Sequence, residues 1–295
     1  MADANFTILE ARGVLVVAGP ERRTFLQGLV SNDVARIAGD RAVYGALLTA
    51  QGKYLHDFVM VEQADEFWLD GEAARLADLK RRLAMYRLRA RVEIAERPDL
   101  AVAAVYGDAA LAALGLPNEP GAARPADRGV ALVDPRLAAL GARLVADRGG
   151  LGRVGAAFMP SDFAAYDRHR LALGVPDGSR DLVPEKSILL EAGFDELNGV
   201  DWQKGCYVGQ ELTARTKYRG LVKRRLFPVE IAGAPPEPGA TISANGHAAG
   251  EMRSSQRGLG IALLRLDAVA GGGRLEAQGA RLTPLMPPWM RLPDA

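Results

Sequence analysis

The chain has 295 residues, of which 48% are hydrophobic and 25% are charged, as is ordinary for a globular protein. Its net charge of +1 excludes a general attraction to nucleic acid or to acidic membranes, so such binding would need a local patch. The single cysteine excludes an intramolecular disulfide, and it excludes a cluster or zinc ion held by four thiolates of one chain. The length predicts two or three domains of roughly 100–200 residues each.

The start of the sequence, MADANFTILEARG, contains acidic residues and lacks the apolar stretch of a signal peptide. No segment approaches the roughly 18 apolar residues of a membrane span. We therefore predict a cytoplasmic protein that does not associate with membranes.

Strands and single helices alternate in the first half of the chain. Residues 6–19 predict a strand pair or one bent strand, and Pro20 begins a predicted helix over 20–34. An amphipathic helix is predicted over 72–88, with one apolar stripe consisting of Leu76, Leu79, Leu83 and Tyr86. The other strands predicted in this half lie at 41–49, 53–63, 66–71, 90–96 and 100–107.

In the second half of the chain, the helical periodicity ends near residue 220. Helices are predicted over 108–117 and 160–176, with strands at 130–135 and 142–147. Beyond residue 220 short apolar strands alternate with turns, and Asn245-Gly246 is a type I′ hairpin signal. We predict an α+β region over 1–219 and a C-terminal β-barrel over 220–295.

The segment DWQKGCYVGQELTAR (201–215) contains the only cysteine, Cys206, between Gly205 and Gly209. A helix that begins near Cys206, together with Lys204, would stabilise a reactive thiolate. The alternative is that Cys206 is a small buried apolar residue. Spacing alone leaves both open.

Two basic segments and one buried acid also stand out. RTKYRGLVKRR (215–225) has six basic residues around Tyr218, which would bind phosphates, bind the carboxylates of an acidic ligand, or form a solvated linker. KRRLAMYRLRAR (80–91) is interpreted as a solvated helix face. Asp57 interrupts an apolar strand, so its carboxylate must face solvent or have a partner.

KGCYVGQE (204–211) resembles the signature octapeptide of the YgfZ-type folate-binding proteins, relatives of the glycine-cleavage aminomethyltransferase (T-protein). Further resemblance covers 17–34, 47–60, 86–94 and 195–226. The resemblance implies two intertwined ferredoxin-like α+β units and a C-terminal β-barrel, arranged around a central hole that binds tetrahydrofolate or a one-carbon derivative.

The resemblance also implies roles for individual residues. Glu211 and Gln210 would bind the N–H groups of the pterin ring, and Arg215 and Arg219 would bind the glutamate tail. Cys206 and Asp57 would be the reactive residues, with no resident metal. The remaining residues expected at the folate site are Lys204, Gly205, Tyr207 and Gly209.

In the T-protein two adjacent aspartates occupy the hairpin where this chain has His56-Asp57, which argues against aminomethyl transfer. We therefore expect a factor that binds reduced folate and supports iron–sulfur cluster assembly or repair in client enzymes, including radical enzymes that modify tRNA. Its partners would be client or assembly proteins, with tRNA contact through 215–225. The alternatives are a folate-dependent one-carbon transferase or demethylase, and a tRNA-binding module.

Overall fold

The computed structural model describes residues 4–292. Its helices are α1 (Arg22–Gln27), α2 (Leu76–Arg87), α3 (Ala110–Ala113), α4 (Arg148–Gly155), α5 (Phe163–Ala172), α6 (Gly178–Asp181), α7 (Gln210–Tyr218) and α8 (Leu266–Ala270). Its strands are β1 (Asn5–Ile8), β2 (Arg12–Ala18), β3 (Val43–Leu48), β4 (Tyr54–Gln63), β5 (Glu66–Glu72), β6 (Glu93–Glu96), β7 (Leu100–Tyr106), β8 (Ala123–Ala126), β9 (Gly129–Val133), β10 (Ala142–Asp147), β11 (Met159–Pro160), β12 (Arg224–Ala232), β13 (Thr241–Ala244), β14 (His247–Gln256), β15 (Leu259–Arg265), β16 (Leu275–Ala277) and β17 (Ala280–Pro284).

The chain forms two compact units. The first contains the chain up to Leu48 together with residues 55–166 and 197–208. The second contains residues 49–54, residues 167–196 and the chain from Gly209 onward. The predicted division between residues 219 and 220 stays a prediction.

A five-stranded sheet in the first unit has the order β3-β4-β5-β2-β6. Its core consists of apolar side chains from the sheet, from α1 and from the buried stripe of α2, including Leu76, Leu79 and Leu83. The first eight residues of β4 are buried on both faces, so this strand lacks the alternation of a half-exposed strand. Asp57 lies within this buried run.

A six-stranded sheet in the same unit has the order β11-β1-β7-β10-β9-β8 and packs against α3 and α4. The predicted strand pair at 6–19 is therefore wrong in its pairing. β1 pairs with β7, whereas β2 pairs with β5 and β6 in the other sheet. A strand's partner depends on distant segments, which local alternation does not identify.

The second unit contains a closed barrel with the order β12-β15-β14-β13-β16-β17 around an apolar interior. Asn245 and Gly246 have φ angles of 49° and 82°, as the predicted type I′ turn requires. The predicted α+β fold with a C-terminal β-barrel is confirmed.

Several helices differ from the predictions. The helix predicted over 20–34 ends at Gln27, because Val30 is instead bridged to Leu47 of β3. The helix expected near Cys206 begins at Gln210. Helix α4 was not predicted, since its sequence RGGLGRVG contains four glycines, which have low helix propensity.

Candidate functional site

The loop that carries the cysteine is fastened to the turn after α1, within the first unit. The Ser31 hydroxyl donates to the Gly199 carbonyl at 2.6 Å, and the Asp201 amide donates to the Ser31 carbonyl at 3.1 Å. At the other end of the loop, the Val208 amide donates to the Gly28 carbonyl at 3.1 Å. Both ends of the segment 199–208 are therefore fixed by hydrogen bonds.

Lys204 fastens the middle of this loop. Its ammonium donates to the main-chain carbonyls of Gln27, Val30 and Asn32 at 2.8, 2.6 and 2.8 Å. Burial lowers the pKa of Lys204 to about 8, although the nearby carboxylate of Asp33 raises it. The amine is still mostly protonated at neutral pH, so three charge-assisted hydrogen bonds hold the loop.

Cys206 is exposed on this fastened loop. The alternative of a small buried apolar residue is therefore wrong. All three ammonium donors of Lys204 are directed at carbonyl oxygens, so the lysine acts on the backbone. The Tyr207 ring lies 5.1 Å from the Lys204 Nζ, within cation–π range. The thiol is thus presented to solvent by a segment whose own conformation is fixed.

Asp57 and Tyr44 form a buried pair in the first unit. The Tyr44 hydroxyl donates to Asp57 Oδ2 at 2.9 Å, and both side chains are buried. Burial raises the pKa of Tyr44 well above its ordinary value, and the negative charge of Asp57 raises it further. The buried acid in an apolar strand therefore has a partner, one of the two outcomes that the sequence allowed.

A chain of buried ions continues from this pair. The Arg136 guanidinium lies 5.6 Å from the Tyr44 ring centre and bonds Asp134, which also accepts from Arg143 at 2.7 Å. Arg143 bonds Asp70 at 2.5 Å, and Asp70 accepts from Arg12 at 2.7 Å. Burial would raise the pKa of Asp134, but the two arginines beside it hold the value well below its usual range.

A cleft of about 260 Å³ opens beside Tyr44, entirely within the first unit. At its mouth Arg36 pairs with Asp201 at 3.3 Å, and Arg41 pairs with Glu119 at 2.9 Å. Its volume is slightly below the roughly 300–1,000 Å³ of pockets for whole drug-sized ligands, so it fits a ring system better than a complete folate. The residues that line it are Asn32, Arg36, Arg41, Ala42, Val43, Tyr44, Glu119, Pro120, Pro135, Asn198 and Val200.

The sequence analysis did not identify this cleft. Its residues come from segments as distant as Asn32, Glu119 and Asn198. One signal was available, since Asn32 belongs to the segment 17–34 that contributed to the family resemblance. The Asn32 side chain donates to the carbonyls of Tyr44 and Asn198 at 2.7 and 2.6 Å, which joins the cleft wall to the loop region.

The C-terminal part of the octapeptide belongs to the second unit. Gly209 precedes α7 with a φ of +82°, which favours glycine. A Cβ at Gly52 would lie 2.7 Å from the Gly209 carbonyl, so these two glycines permit a close approach. Glu211 is exposed and pairs with Arg215 at 2.6 Å.

The basic segment 215–225 is largely neutralised within the second unit. Lys217 pairs with Asp195, and Arg224 pairs with Glu191. Arg225 is buried and bonds Glu196 at 2.8 Å. A continuous basic surface over 215–225 is therefore not present, since four of its six basic side chains already have carboxylate partners.

The His56 side chain bonds a different residue from its neighbour Asp57. Its Nε2 lies 2.9 Å from Asp78 Oδ2 on α2, and it is buried. Burial lowers the pKa of His56 to about 4, and the charge of Arg75 acts in the same direction. Adjacent residues on β4 thus have separate partners, Asp78 for His56 and Tyr44 for Asp57.

Between residues 4 and 292, no group of three or more His, Cys, Asp or Glu side chains is arranged to hold a metal ion. Over the same residues, no helix is long and apolar enough to cross a membrane.

Comparisons with known proteins place these features in context. Residues 223–292 match the family model described as the CAF17 C-terminal beta-barrel domain. The chain is 34% identical to the mitochondrial iron–sulfur cluster assembly factor IBA57 of Mus musculus and 35% identical to that of Homo sapiens. Each match covers 95% of this chain and 84% of the relative.

The fold resembles the glycine cleavage system aminomethyltransferase T from Bartonella henselae, with a TM-score of 0.79 and 18% identity. The match covers 98% of this chain and 87% of that one. At that identity the likeness concerns the fold alone. The relatives also correct one expectation: they are named as mitochondrial proteins, so the predicted cytoplasmic location is wrong on this comparison.

Proposed function

Because the chain belongs to the IBA57 family of iron–sulfur cluster assembly factors, we propose that it helps to build or repair clusters through Cys206 and binds a reduced folate in its first unit. The predicted assembly-factor class and aminomethyltransferase-like fold agree with this family. The YgfZ-type proteins named from the octapeptide are relatives of it rather than its members.

The exposure of Cys206 on a fastened loop is the observation that carries the proposal. Iron–sulfur clusters are commonly held by about four protein ligands, usually thiolates. This chain has one cysteine, and its described part has no cluster of metal-ligating side chains. The thiolate therefore acts as one ligand of a cluster whose other ligands come from a partner protein, and the cluster is cargo.

The thiol is tested by reversible blocking. Methyl methanethiosulfonate converts the Cys206 thiol into a methyl disulfide with release of methanesulfinate, and dithiothreitol restores it. Blocked protein should fail to restore iron–sulfur enzyme activity in extract from a deletion strain, and reduced protein should recover it. Cys206→Ser should fail in both states. Full restoration by Cys206→Ser would refute the role of the thiol.

The folate part of the proposal is supported by the Tyr44–Asp57 pair and the cleft beside it. Tyr44 lines the cleft, and the buried Asp57 acts on the cleft wall through its hydrogen bond with the Tyr44 hydroxyl. A cleft of about 260 Å³ accommodates a bicyclic ring better than a whole folate. We therefore propose that the ring binds in the first unit. The predicted roles of Gln210 and Glu211 at the ring, and of Arg215 and Arg219 at the tail, stay predictions.

Titration with tetrahydrofolate, followed by tryptophan fluorescence or calorimetry, tests the folate site. Asp57→Asn should weaken binding about tenfold, because Tyr44 at the cleft wall loses its charged hydrogen-bond acceptor. His56→Gln is the matched control, since the neighbouring side chain pairs with Asp78 instead. No binding at sub-millimolar tetrahydrofolate would remove the folate part and leave the thiol part intact.

One-carbon transfer is a second candidate function, and the buried Asp57 carboxylate favours it. Purified protein with tetrahydrofolate and a one-carbon donor would then show turnover that collapses in Asp57→Ala. The assembly role requires no turnover. Client enzymes, including radical enzymes that modify tRNA, are part of the proposal and are identified by which activities a deletion strain loses.

A further inference from the structure

The C-terminal end of α2 and the residue that follows it expose three large apolar side chains within four positions. Met85, Tyr86 and Leu88 are 58%, 40% and 87% exposed, and every residue from 84 to 89 is exposed. Tyr86 was predicted to lie on the apolar stripe of this helix with Leu76, Leu79 and Leu83. That stripe ends at Leu83, so the last turn projects from the sheet that the rest of the helix covers.

The backbone holds this exposure in place. Leu88 has a φ of +43° and a ψ of −108°, a conformation that costs free energy for a residue with a side chain. The Ala90 amide donates to the Arg87 carbonyl at 2.7 Å and closes the turn, while Val92 is buried in the core. A strained turn between two anchored segments thus keeps Leu88 in solvent.

The same segment carries a strong excess of positive charge. Residues 78–91 contain six basic residues and one acidic residue, in a protein whose net charge is +1. Asp78 is engaged by Arg81 and Arg82. Within residues 4–292, no carboxylate pairs with Lys80, Arg87 or Arg89. Arg91 pairs with Glu21, so the uncompensated positive charge of this segment is that of Lys80, Arg87 and Arg89.

We propose that residues 84–89, the helix-end surface, dock an acidic segment of the partner protein that completes the ligand set of the shared cluster. The inference rests on the proposed function, because a single thiol requires such a partner. Met, Tyr and Arg are the residue types enriched at protein interfaces, and Tyr and Arg are enriched among their hot spots. Carboxylates on the partner match Arg87 and Arg89 in charge and in geometry.

Two other occupants fit less well. An interfacial membrane helix lays one continuous apolar face into lipid, whereas the apolar face of α2 is buried in the protein's own core. Single-stranded nucleic acid binds by stacking bases on aromatic rings, and two of the three exposed apolar side chains, Met85 and Leu88, are aliphatic.

The test uses matched variants of the full chain. Met85→Asp is compared with Met286→Asp, because Met286 is 54% exposed in the second unit. Arg87→Glu/Arg89→Glu is compared with Arg168→Glu/Lys186→Glu, which changes net charge equally at exposed positions elsewhere. Thermal unfolding should be unchanged in all four, since each altered side chain is exposed.

The full chain, with a photo-crosslinking amino acid in place of Leu88, is expressed in cells. It should capture an iron–sulfur assembly or client protein, and mass spectrometry should locate the crosslink in an acid-rich peptide of that protein. Crosslink yield should fall about tenfold in Met85→Asp and in Arg87→Glu/Arg89→Glu, and restored enzyme activity should fall with it. The two control variants should retain both. Undiminished crosslinking in the surface variants would overturn the proposal, as would capture of a second copy of this chain.

Two further binding measurements test a membrane and a single-stranded nucleic acid as occupants of the helix-end surface. Vesicles of phosphatidylglycerol and a single-stranded RNA oligomer should bind each surface variant as strongly as its charge-matched control. Loss of binding to either probe in Met85→Asp alone would overturn the assignment to a protein. Cys206→Ser separates the two proposals, because it should keep the Leu88 crosslink while losing enzyme restoration. If Cys206→Ser restored activity, the thiol proposal would fail while the Leu88 crosslink still reported on docking.

Discussion

The Lys204 ammonium lies 2.6 Å from the main-chain carbonyl oxygen of Val30 and thereby ties the cysteine loop to the turn after α1. The lysine two residues before the only thiol thus fixes the loop's shape. A thiol that must meet ligands on another protein gains from such a fixed loop, because less freedom is lost on binding.

Lys204→Met should destabilise the first unit by about 2–4 kcal/mol, because three carbonyls lose a charged donor. Urea unfolding should show the loss, and the Cys206 alkylation rate in native protein should change as the loop loosens. Lys186→Met, at an exposed lysine, is the control and should alter neither quantity. Unchanged stability in Lys204→Met would show that the three contacts are not maintained in solution.

The stability of the first unit should fall as the pH drops from 6.5 towards 4. The folded pKa of His56, about 4, lies below the ordinary value of 6.5, so the unfolded state takes up the proton first. The contribution is fully present above pH 6.5 and is lost through this window, amounting to roughly 3 kcal/mol. Urea unfolding at several pH values should show a smaller slope in His56→Gln, whereas His247→Gln, at an exposed histidine, should keep the original slope.

Neighbouring arginines on β12 should respond very differently to substitution. The side chain of Arg225 is 5% exposed, and Arg225→Met removes the partner of the mostly buried Glu196, at a cost of about 3 kcal/mol. The side chain of Arg224 is 52% exposed, and Arg224→Met should cost less than 1 kcal/mol. Thermal unfolding measures both.

RNA binding that survived in folded Arg225→Met and vanished in Arg224→Met would instead support the tRNA alternative.

The buried ion chain should be intolerant of losing one acid. Asp134→Asn leaves Arg136 and Arg143 with a neutral partner in a buried site, and the first unit should lose about 3–5 kcal/mol. Chemical unfolding followed by circular dichroism measures the change. Asp267→Asn, at an exposed pair on the barrel, should leave the unfolding midpoint where it is. Equal midpoints for both variants would contradict the importance of the buried chain.

Much of the secondary structure was predictable from local patterns. The helix over 72–88 was found because apolar spacing reports which face of a helix is buried. The strand over 53–63 was found although β4 is buried on both faces and lacks such an alternation. Helix α4 was missed because its stability comes from packing of Leu151 and from Asp147 as N-cap, which outweigh its glycines. Local propensity does not contain those tertiary contributions.

The site was only partly predictable. Cys206, Asp57 and Lys204 were singled out as candidate site residues and stay predictions, whereas the partners of Asp57 and Lys204 were not predicted. Tyr44 lies thirteen residues before Asp57 on another strand, and the carbonyls that Lys204 binds lie more than 170 residues away in sequence. A main-chain carbonyl group is chemically the same in every residue, so no sequence pattern could have indicated which carbonyls Lys204 binds.

The sequence by itself determined the α+β region followed by a barrel, the presence of one thiol, and the family resemblance carried by the octapeptide. These follow from periodicity, composition and residue identity, which are local quantities. Only the tertiary structure decided that Cys206 is exposed, that Arg225 is buried against Glu196, and that α2 ends in an exposed apolar turn. Burial depends on which distant segments cover a residue, and that depends on how the whole chain packs.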